Sequence, residues 1–336
     1  MLGDFKKDEY FKIDVESHIY PPVLEMDYFT RRHKSRYTLF ERLGVSALPE
    51  YQEMSERMRG VWSSEPEVVI ELMDMYGIDM ACVMRENMMM ITSWAYPMAT
   101  NRYVFSACEK YPERFIFQAN VGPVLRRGVK NAIWELEYLV KEKNCRLIKM
   151  YLPEEETYPN DPQLYPFYEK ICELDIPMTV HTGMSWGQLL GPSKYCRPIY
   201  LDDVATEFPE LKIIGFHAGW PYCREMNMVA SNHINMYISL SLLVPWGITM
   251  PWRFAEILGE AIQSVGVDRV IWGTDYFGPF CELAMRLSVE GLSDFEMPDE
   301  LRGRYGLPPL TDEDKAKIFG LNLAKLLGVE AKRRTP

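Results

Sequence analysis

Three of the chain's five histidines stand where an apolar run stops. His18 ends KIDVESH, His181 follows IPMTV, and His217 ends LKIIGFH. Carboxylates occupy the same kind of position: Glu16 lies two residues before His18, and Asp275 closes VIWGTD. Side chains two apart on an extended strand face the same side, so Glu16 and His18 can enter one space together. Glu16, His18, His181 and Asp275 would form a donor set of two imidazoles and two carboxylates, suited to a divalent metal ion. Asp14 shares that face one layer deeper and is a candidate to orient a ligand from behind. Lys149, in LIKMY, is a further reactive side chain at a run end. Each residue alone has an ordinary reading, as a hydrogen-bonded core histidine, a turn aspartate or a salt-bridged lysine. Their shared position favours a site. His33 and His233 fall in loop or helix positions and are read as ordinary.

A repeating alternation could bring these run ends together. Strands are expected at 10–15, 79–84, 114–120, 145–150, 176–181, 211–217, 235–241 and 268–275. Helical periodicity fills 65–76, 98–111, 127–143, 162–174, 200–208, 222–232, 252–265 and 312–327. Several of these helical segments open on Asp or Pro and close before Gly or Pro, as helix boundary chemistry requires. Strict alternation of eight strands and eight helices predicts an α/β fold, a (β/α)8 TIM barrel. Residues 19–62 would be an insertion after strand 1 and 276–311 another after strand 8, with 1–336 forming a single domain. Barrel active sites gather at the C-terminal ends of the strands. There, strands 1 and 8 are neighbours and strand 5 lies across the mouth, so the four donors can converge.

Composition narrows the function class. With 336 residues, 47% apolar and a net charge of −11, the chain has a globular core's content and no basic excess for nucleic acid or an anionic membrane. Seven scattered cysteines without a CxxC pair fit a reducing cytoplasm, and no secretory leader is expected. Residues 226–252 lack Asp, Glu, Lys and Arg but are broken by polar residues and Pro245, so they read as a buried strand and a long loop. Trp186, Trp220, Tyr222, Trp246, Trp252 and Tyr276 lie just past strand ends and could stack a planar ring; packing between subunits is the alternative. The run Met88, Met89 and Met90 is a pocket wall or a buried contact. Arg85, in the same loop, is a candidate carboxylate clamp or a surface ion pair.

The ordered series IDVESH, TNRYVFSACEKYPERFIFQANV, LIKMY, YPNDPQLYPFYEKICELDIPMTVHTG, FPELKIIGFHAGW, IWGTDYF and IFGLNLAKLLG resembles the amidohydrolase superfamily. The resemblance is to its amidohydrolase-related group (amidohydrolase family 2), which includes aminocarboxymuconate-semialdehyde decarboxylase and γ-resorcylate decarboxylase. It covers nearly the whole chain apart from the two insertions. The usual strand 1 motif of the family is HxH, and here Glu16 replaces its first histidine. An anionic oxygen in place of a neutral nitrogen hardens the donor set and suits Mn²⁺ as well as Zn²⁺. By this resemblance His181 and Asp275 complete the ligands of one divalent ion. His217 matches the strand 6 histidine that lies beside the metal as a polar catalytic group. Lys149 matches no ligand of the pattern, and a doubly metallated site is not implied.

The resemblance leaves the reaction open between two classes. In a decarboxylase, the substrate carboxylate and an adjacent hydroxyl would be held at the ion and Asp275 would deliver a proton to the ring carbon, with His217 hydrogen-bonded to a substrate oxygen. In a hydrolase, Asp275 would take a proton from water and His217 would polarise an amide, ester or lactone carbonyl. A hydratase is a variant of the second. An ExH start resembles the decarboxylases of hydroxylated aromatic acids more than the hydrolases. The expected partner is a small carboxylate, aromatic in the favoured case, and the resemblance implies a homodimer or homotetramer.

Overall fold

The computed structural model describes residues 9–20, 65–84, 99–183, 192–275 and 282–332. Eight parallel strands follow one another in sequence order around a nearly closed (β/α)8 barrel. They are β1 Ile13–His18, β2 Met80–Met84, β3 Phe115–Ala119, β4 Leu147–Met150, β5 Met178–Val180, β6 Ile213–Gly215, β7 Met236–Ser239 and β8 Val270–Ile271. Each of the eight overlaps its predicted segment. β1 runs further into the polar residues than the apolar run suggested, and β8 is far shorter.

Most of the helices between strands are ended by local chemistry. Pro66–Tyr76 starts on a proline and stops at Gly77, whose φ of 67° is left-handed. It buries Val69, Leu72, Met73 and Tyr76, a three-to-four-residue stripe. Thr100 caps Asn101–Lys110 by accepting from Tyr103 N. Thr311 and Asp314 form a reciprocal capping box at the start of the last helical segment. Short helices at Val124–Arg127, Leu152–Glu155 and Trp246–Thr249 were not expected. The predicted insertion 276–311 contains two helices, Glu282–Ser293 and Asp299–Tyr305; its residues 276–281 and residues 21–62 of the other insertion lie outside the described residues.

The apolar core divides into two parts. One lies between sheet and helices and includes Val83, Phe117, Ile148, Val180, Ile213, Ile238 and Trp272. The other comprises the alternate strand positions and fills the barrel: Ile13, Val15, Cys82, Ile116, Leu147, Ile214 and Ile271, with Leu323, Ala324 and Leu327 from the C-terminal helix. One step towards the C-terminal ends, the same inward-facing rows become polar. Ile116 is followed by Gln118, Leu147 by Lys149 and Ile271, beyond Gly273, by Asp275, all buried. The site thus stands on an apolar floor. Residues 226–252 hold parts of four elements, and no helix among the described residues is long and apolar enough to cross a membrane.

The barrel's weak point is the seam between β8 and β1. Two main-chain bonds cross it, Val15 N to Trp272 O at 3.4 Å and Asp275 N to Glu16 O at 2.9 Å. The C-terminal helix takes up what the seam leaves unpaired. It widens into a π turn at Lys317–Leu321, and Ile318 O there accepts from Trp272 N at 2.9 Å. Gly320 lies against β1's entry so closely that an added Cβ would stand 2.6 Å from Phe11 O. A backbone atom cannot yield as a side-chain tip can. Gly320→Ala should therefore lower the free energy of unfolding by about 1–3 kcal/mol, read from urea denaturation; unchanged stability would show that the helix does not clamp the seam.

Candidate metal centre

The polar rows meet at the C-terminal end of β1 and β8. One donor atom from each of Glu16, His18 and Asp275 lies within 4.8 Å of the others, and all three residues are buried. His18 Nε2 is 3.3 Å from Asp275 Oδ1. A nitrogen and two carboxylate oxygens converging in a buried position fit a divalent cation of the borderline-to-hard class.

Strict alternation does not run through β1. Its register with β2 shifts between Asp14 and Ser17, a bulge of the kind that re-aims side chains beside active sites. Val15 packs in the barrel interior with Ile13, while Glu16, next along, reaches Lys149 and Ser241. Asp14 turns to the seam instead of sharing that face. Its Oδ1 accepts from Glu16 N at 3.0 Å and from Thr274 N at 2.9 Å, and its Oδ2 accepts from the Thr274 hydroxyl. Asp14 thus holds the residues on both sides of the donor group. Burial pushes its carboxyl up to about 7, against the pull of those hydrogen bonds.

Glu16 is held at both oxygens. Lys149 Nζ donates to Oε1 at 2.7 Å, and Ser241 Oγ donates to Oε2 at 2.6 Å. Burial opposes its charge, but Lys149, His217 and His18 outweigh burial and hold its carboxyl below the ordinary range. Asp275 moves the other way, raised by burial and by Glu16's charge against the hydrogen bond with His18. Two neighbouring carboxyls are thus pushed apart, a pattern common to acid–base sites.

His181 follows β5, and His181 N donates to Met150 O at 3.1 Å. It falls outside the three-donor group and joins it through His217. The His217 Nδ1 lies 3.1 Å from Ser241 O and 3.8 Å from Glu16 Oε2, and its Nε2 lies 3.4 Å from His181 Nδ1. A carbonyl can only accept, so His217 Nδ1 carries a proton. In a neutral His217 the Nε2 then accepts from His181 Nδ1, which leaves the lone pair of His181 on Nε2. That is the tautomer a metal-ligating histidine needs. His217, Ala218, Leu242 and Asp275 have φ of 58°, 46°, 70° and 54°, left-handed values that favour glycine. Non-glycine residues held there just past strand ends are a recurrent mark of functional sites.

The expected substrate contacts divide. Lys149 lies fully inside, on Glu16. Trp220 packs edge-on against Trp246 at 5.2 Å, and Tyr222 lies under Arg197, 5.3 Å from ring centre to guanidinium carbon. Arg85, Trp186 and Tyr276 lie outside the described residues, as do Met88, Met89, Met90 and His33. His233 pairs with Asp202 at 2.8 Å, away from the donor group, as its ordinary reading implied. Ser241 and Thr274 are the residues that sequence reading did not single out. The available signals were a hydroxyl at the end of the otherwise apolar NMYISLS and the Thr of WGTD.

Asp14→Ala would leave two buried backbone N–H groups and the Thr274 hydroxyl without their acceptor. It should cost roughly 2–5 kcal/mol of stability in chemical denaturation; a loss below about 0.5 kcal/mol would mean that Asp14 does not brace the seam.

Comparison with known proteins returns a consistent picture. The sequence model of a family described as amidohydrolase matches residues 75–329. A TIM-barrel protein of uncharacterised function from Bordetella bronchiseptica superposes with a TM-score of 0.66 at 22% identity, over 94% of this chain and 98% of that one. A 5-carboxyvanillate decarboxylase from Novosphingobium aromaticivorans, solved with manganese and 4-hydroxy-3-methoxy-5-nitrobenzoic acid, gives 0.63 at 18% identity over 97% and 98%. A 2,6-dihydroxybenzoate decarboxylase from Rhizobium gives 0.59 at 18% over 95% and 99%. At these identities the likeness shows a shared fold. Protein fluG of Emericella nidulans is 28% identical over 108 residues, 32% of this chain and 12% of that protein, so the match spans a small part of that relative.

Proposed function

The chain belongs to the amidohydrolase family, and from that premise we propose a metal-dependent carbon–carbon lyase, a non-oxidative decarboxylase of a small hydroxylated aromatic or unsaturated carboxylic acid. The observation that carries the metal is the buried convergence of Glu16, His18 and Asp275. His181, in the tautomer that His217 favours, is the fourth ligand through Nε2. A single Mn²⁺ or Zn²⁺ held there would chelate oxygens of the substrate and stabilise negative charge on them. The choice of decarboxylation is supported by the two decarboxylases of hydroxylated aromatic acids that share the fold, one of them solved with manganese.

The chain's own groups supply the rest. Asp275 lies against His18 at the mouth of the barrel and is the proton carrier, delivering a proton to the ring carbon as the bond to the carboxylate breaks. His217 lies beside Glu16 and His181, its Nδ1 on Ser241 O; when substrate replaces His181 at Nε2, that nitrogen takes the proton of a substrate hydroxyl and donates it back as a hydrogen bond to the same oxygen. The apolar floor of Leu147, Ile214 and Ile271 closes the barrel below the reacting groups. Arg85, Trp186, Trp220, Tyr222 and Tyr276 remain the proposed contacts to the carboxylate and ring. We read 1–336 as one domain, acting in the cytoplasm as a homodimer or homotetramer without nucleic-acid or membrane partners.

Hydrolysis or hydration of an activated substrate would use the same residues, and the family description keeps that reading in play. One experiment separates them. Protein loaded with Mn²⁺ or Zn²⁺ and mixed with pooled hydroxybenzoates in D₂O should lose a substrate carboxylate and gain deuterium at the vacated ring carbon, observed by NMR. Chelation should abolish the reaction, and Asp275→Asn should slow it at least about a hundredfold. If the metal binds and no acid in the pool reacts while lactones or amides do, the decarboxylase assignment falls to hydrolysis.

A further inference from the structure

Lys149 is fully buried. Its side chain has 0% exposure, and among the described residues its ammonium has one anionic partner at hydrogen-bond distance, Glu16 Oε1 at 2.7 Å. The remaining space around Nζ is lined by aromatic faces: Phe216 with its ring centre 3.5 Å away and Tyr151 at 4.7 Å. Attraction of the cation to the two rings and to Glu16 holds the amine in the barrel. A lysine held this way cannot reach out to a ligand above the mouth. It acts on whatever Glu16 acts on.

The second oxygen of Glu16 is fixed as well, by Ser241 Oγ at 2.6 Å. The carboxylate therefore stands in one plane, with each oxygen already accepting one hydrogen bond. Any cation held by Glu16, His18 and Asp275 shares Glu16 with Lys149. The lysine also changes the charge of the centre. It cancels the charge of Glu16, so with a divalent ion in the group the centre carries one more positive charge than the same donors would without Lys149. An additional positive charge in a buried centre attracts an anion more strongly.

We propose that Lys149 is a positioning residue. It fixes Glu16 for the metal and acts as an internal cation that weakens metal binding in exchange for tighter binding of a monoanionic carboxylate substrate. This rests on the metal site proposed above and gives that site a charge balance suited to an anionic substrate.

The test uses the full chain and two binding readouts that do not depend on turnover. Mn²⁺ affinity is measured by chelator competition, and affinity of the Mn²⁺-loaded protein for 2-hydroxybenzoate by calorimetry. Lys149→Gln keeps a hydrogen-bond donor but removes the charge, Lys149→Met removes both, and Lys149→Arg keeps the charge. Each neutral variant that folds by circular dichroism should bind Mn²⁺ about tenfold or more tightly than the parent and 2-hydroxybenzoate about tenfold or more weakly. Lys149→Arg should stay near the parent in both. If a folded neutral variant binds Mn²⁺ no more tightly, or if the two affinities fall together, the charge-balancing role is overturned. If neither neutral variant folds, Lys149 belongs to stability, and the proposal falls. A parent protein that binds no Mn²⁺ or Zn²⁺ would overturn the metal reading itself, a different result from an unresponsive Lys149.

Discussion

Closing an eight-stranded barrel requires its last strand to find its first, and here that contact carries the chemistry. The seam has few ladder bonds: β8 spans only Val270–Ile271. What completes it is Asp14, which accepts from Glu16 N on one strand and from Thr274 N and its hydroxyl on the other. The main-chain bond from Asp275 N to Glu16 O lies one step further along. Two donors of the candidate metal group are therefore neighbours because the barrel is closed. Loosening the seam would draw Glu16 and Asp275 apart.

The bulge in β1 follows from the same requirement. An unbulged strand would alternate Ile13, Val15 and Ser17 against Asp14, Glu16 and His18. Asp14 would then point with Glu16 into the barrel and leave the seam unbraced. One extra residue lets Val15 fill the interior, Asp14 brace Thr274, and Glu16 turn to Lys149 and Ser241. Gly273 answers this from the other strand. A Cβ there would meet Val15 Cγ1 at 2.9 Å and Ser241 Cβ at 3.1 Å, so only a residue without a side chain lets β8 approach.

These details mark the boundary of what the sequence could show. The alternation of strands and helices was legible because each barrel strand is a short apolar run and each helix carries a three-to-four-residue stripe. Glu16, His18 and Asp275 were legible because reactive side chains stand out at the ends of such runs. The π turn at Lys317–Leu321, the short helix at Trp246–Thr249 and the β1 bulge were not, since each is set by a distant partner rather than by its own residues. Ile318 O is drawn to Trp272 N, and Gly247 packs against Gly291 O. Lys149 shows the same limit. Its type and position marked it as reactive, but only the fold shows that its ammonium faces a carboxylate of the site and not a ligand.

The site also explains why the polar layer sits above an apolar one. A buried lysine, three buried carboxyls and three buried histidines would each carry a large desolvation penalty if isolated. In this arrangement the charges are placed to offset one another: Lys149 on Glu16, the dipoles of Glu16 N and Thr274 N on Asp14, and the imidazole of His18 on Asp275. The left-handed backbones at His217 and Asp275 add strain of about 1 kcal/mol each. Apart from Asp14, which braces the seam, such a cluster is poorly suited to holding a fold together, so most of the fold must be held elsewhere. The interior layer of Ile116, Leu147, Ile214 and Ile271 and the C-terminal helix beneath it do this. The apolar layer lies on the side away from the donors, and this separation lets Glu16 and Asp275 remain close and buried.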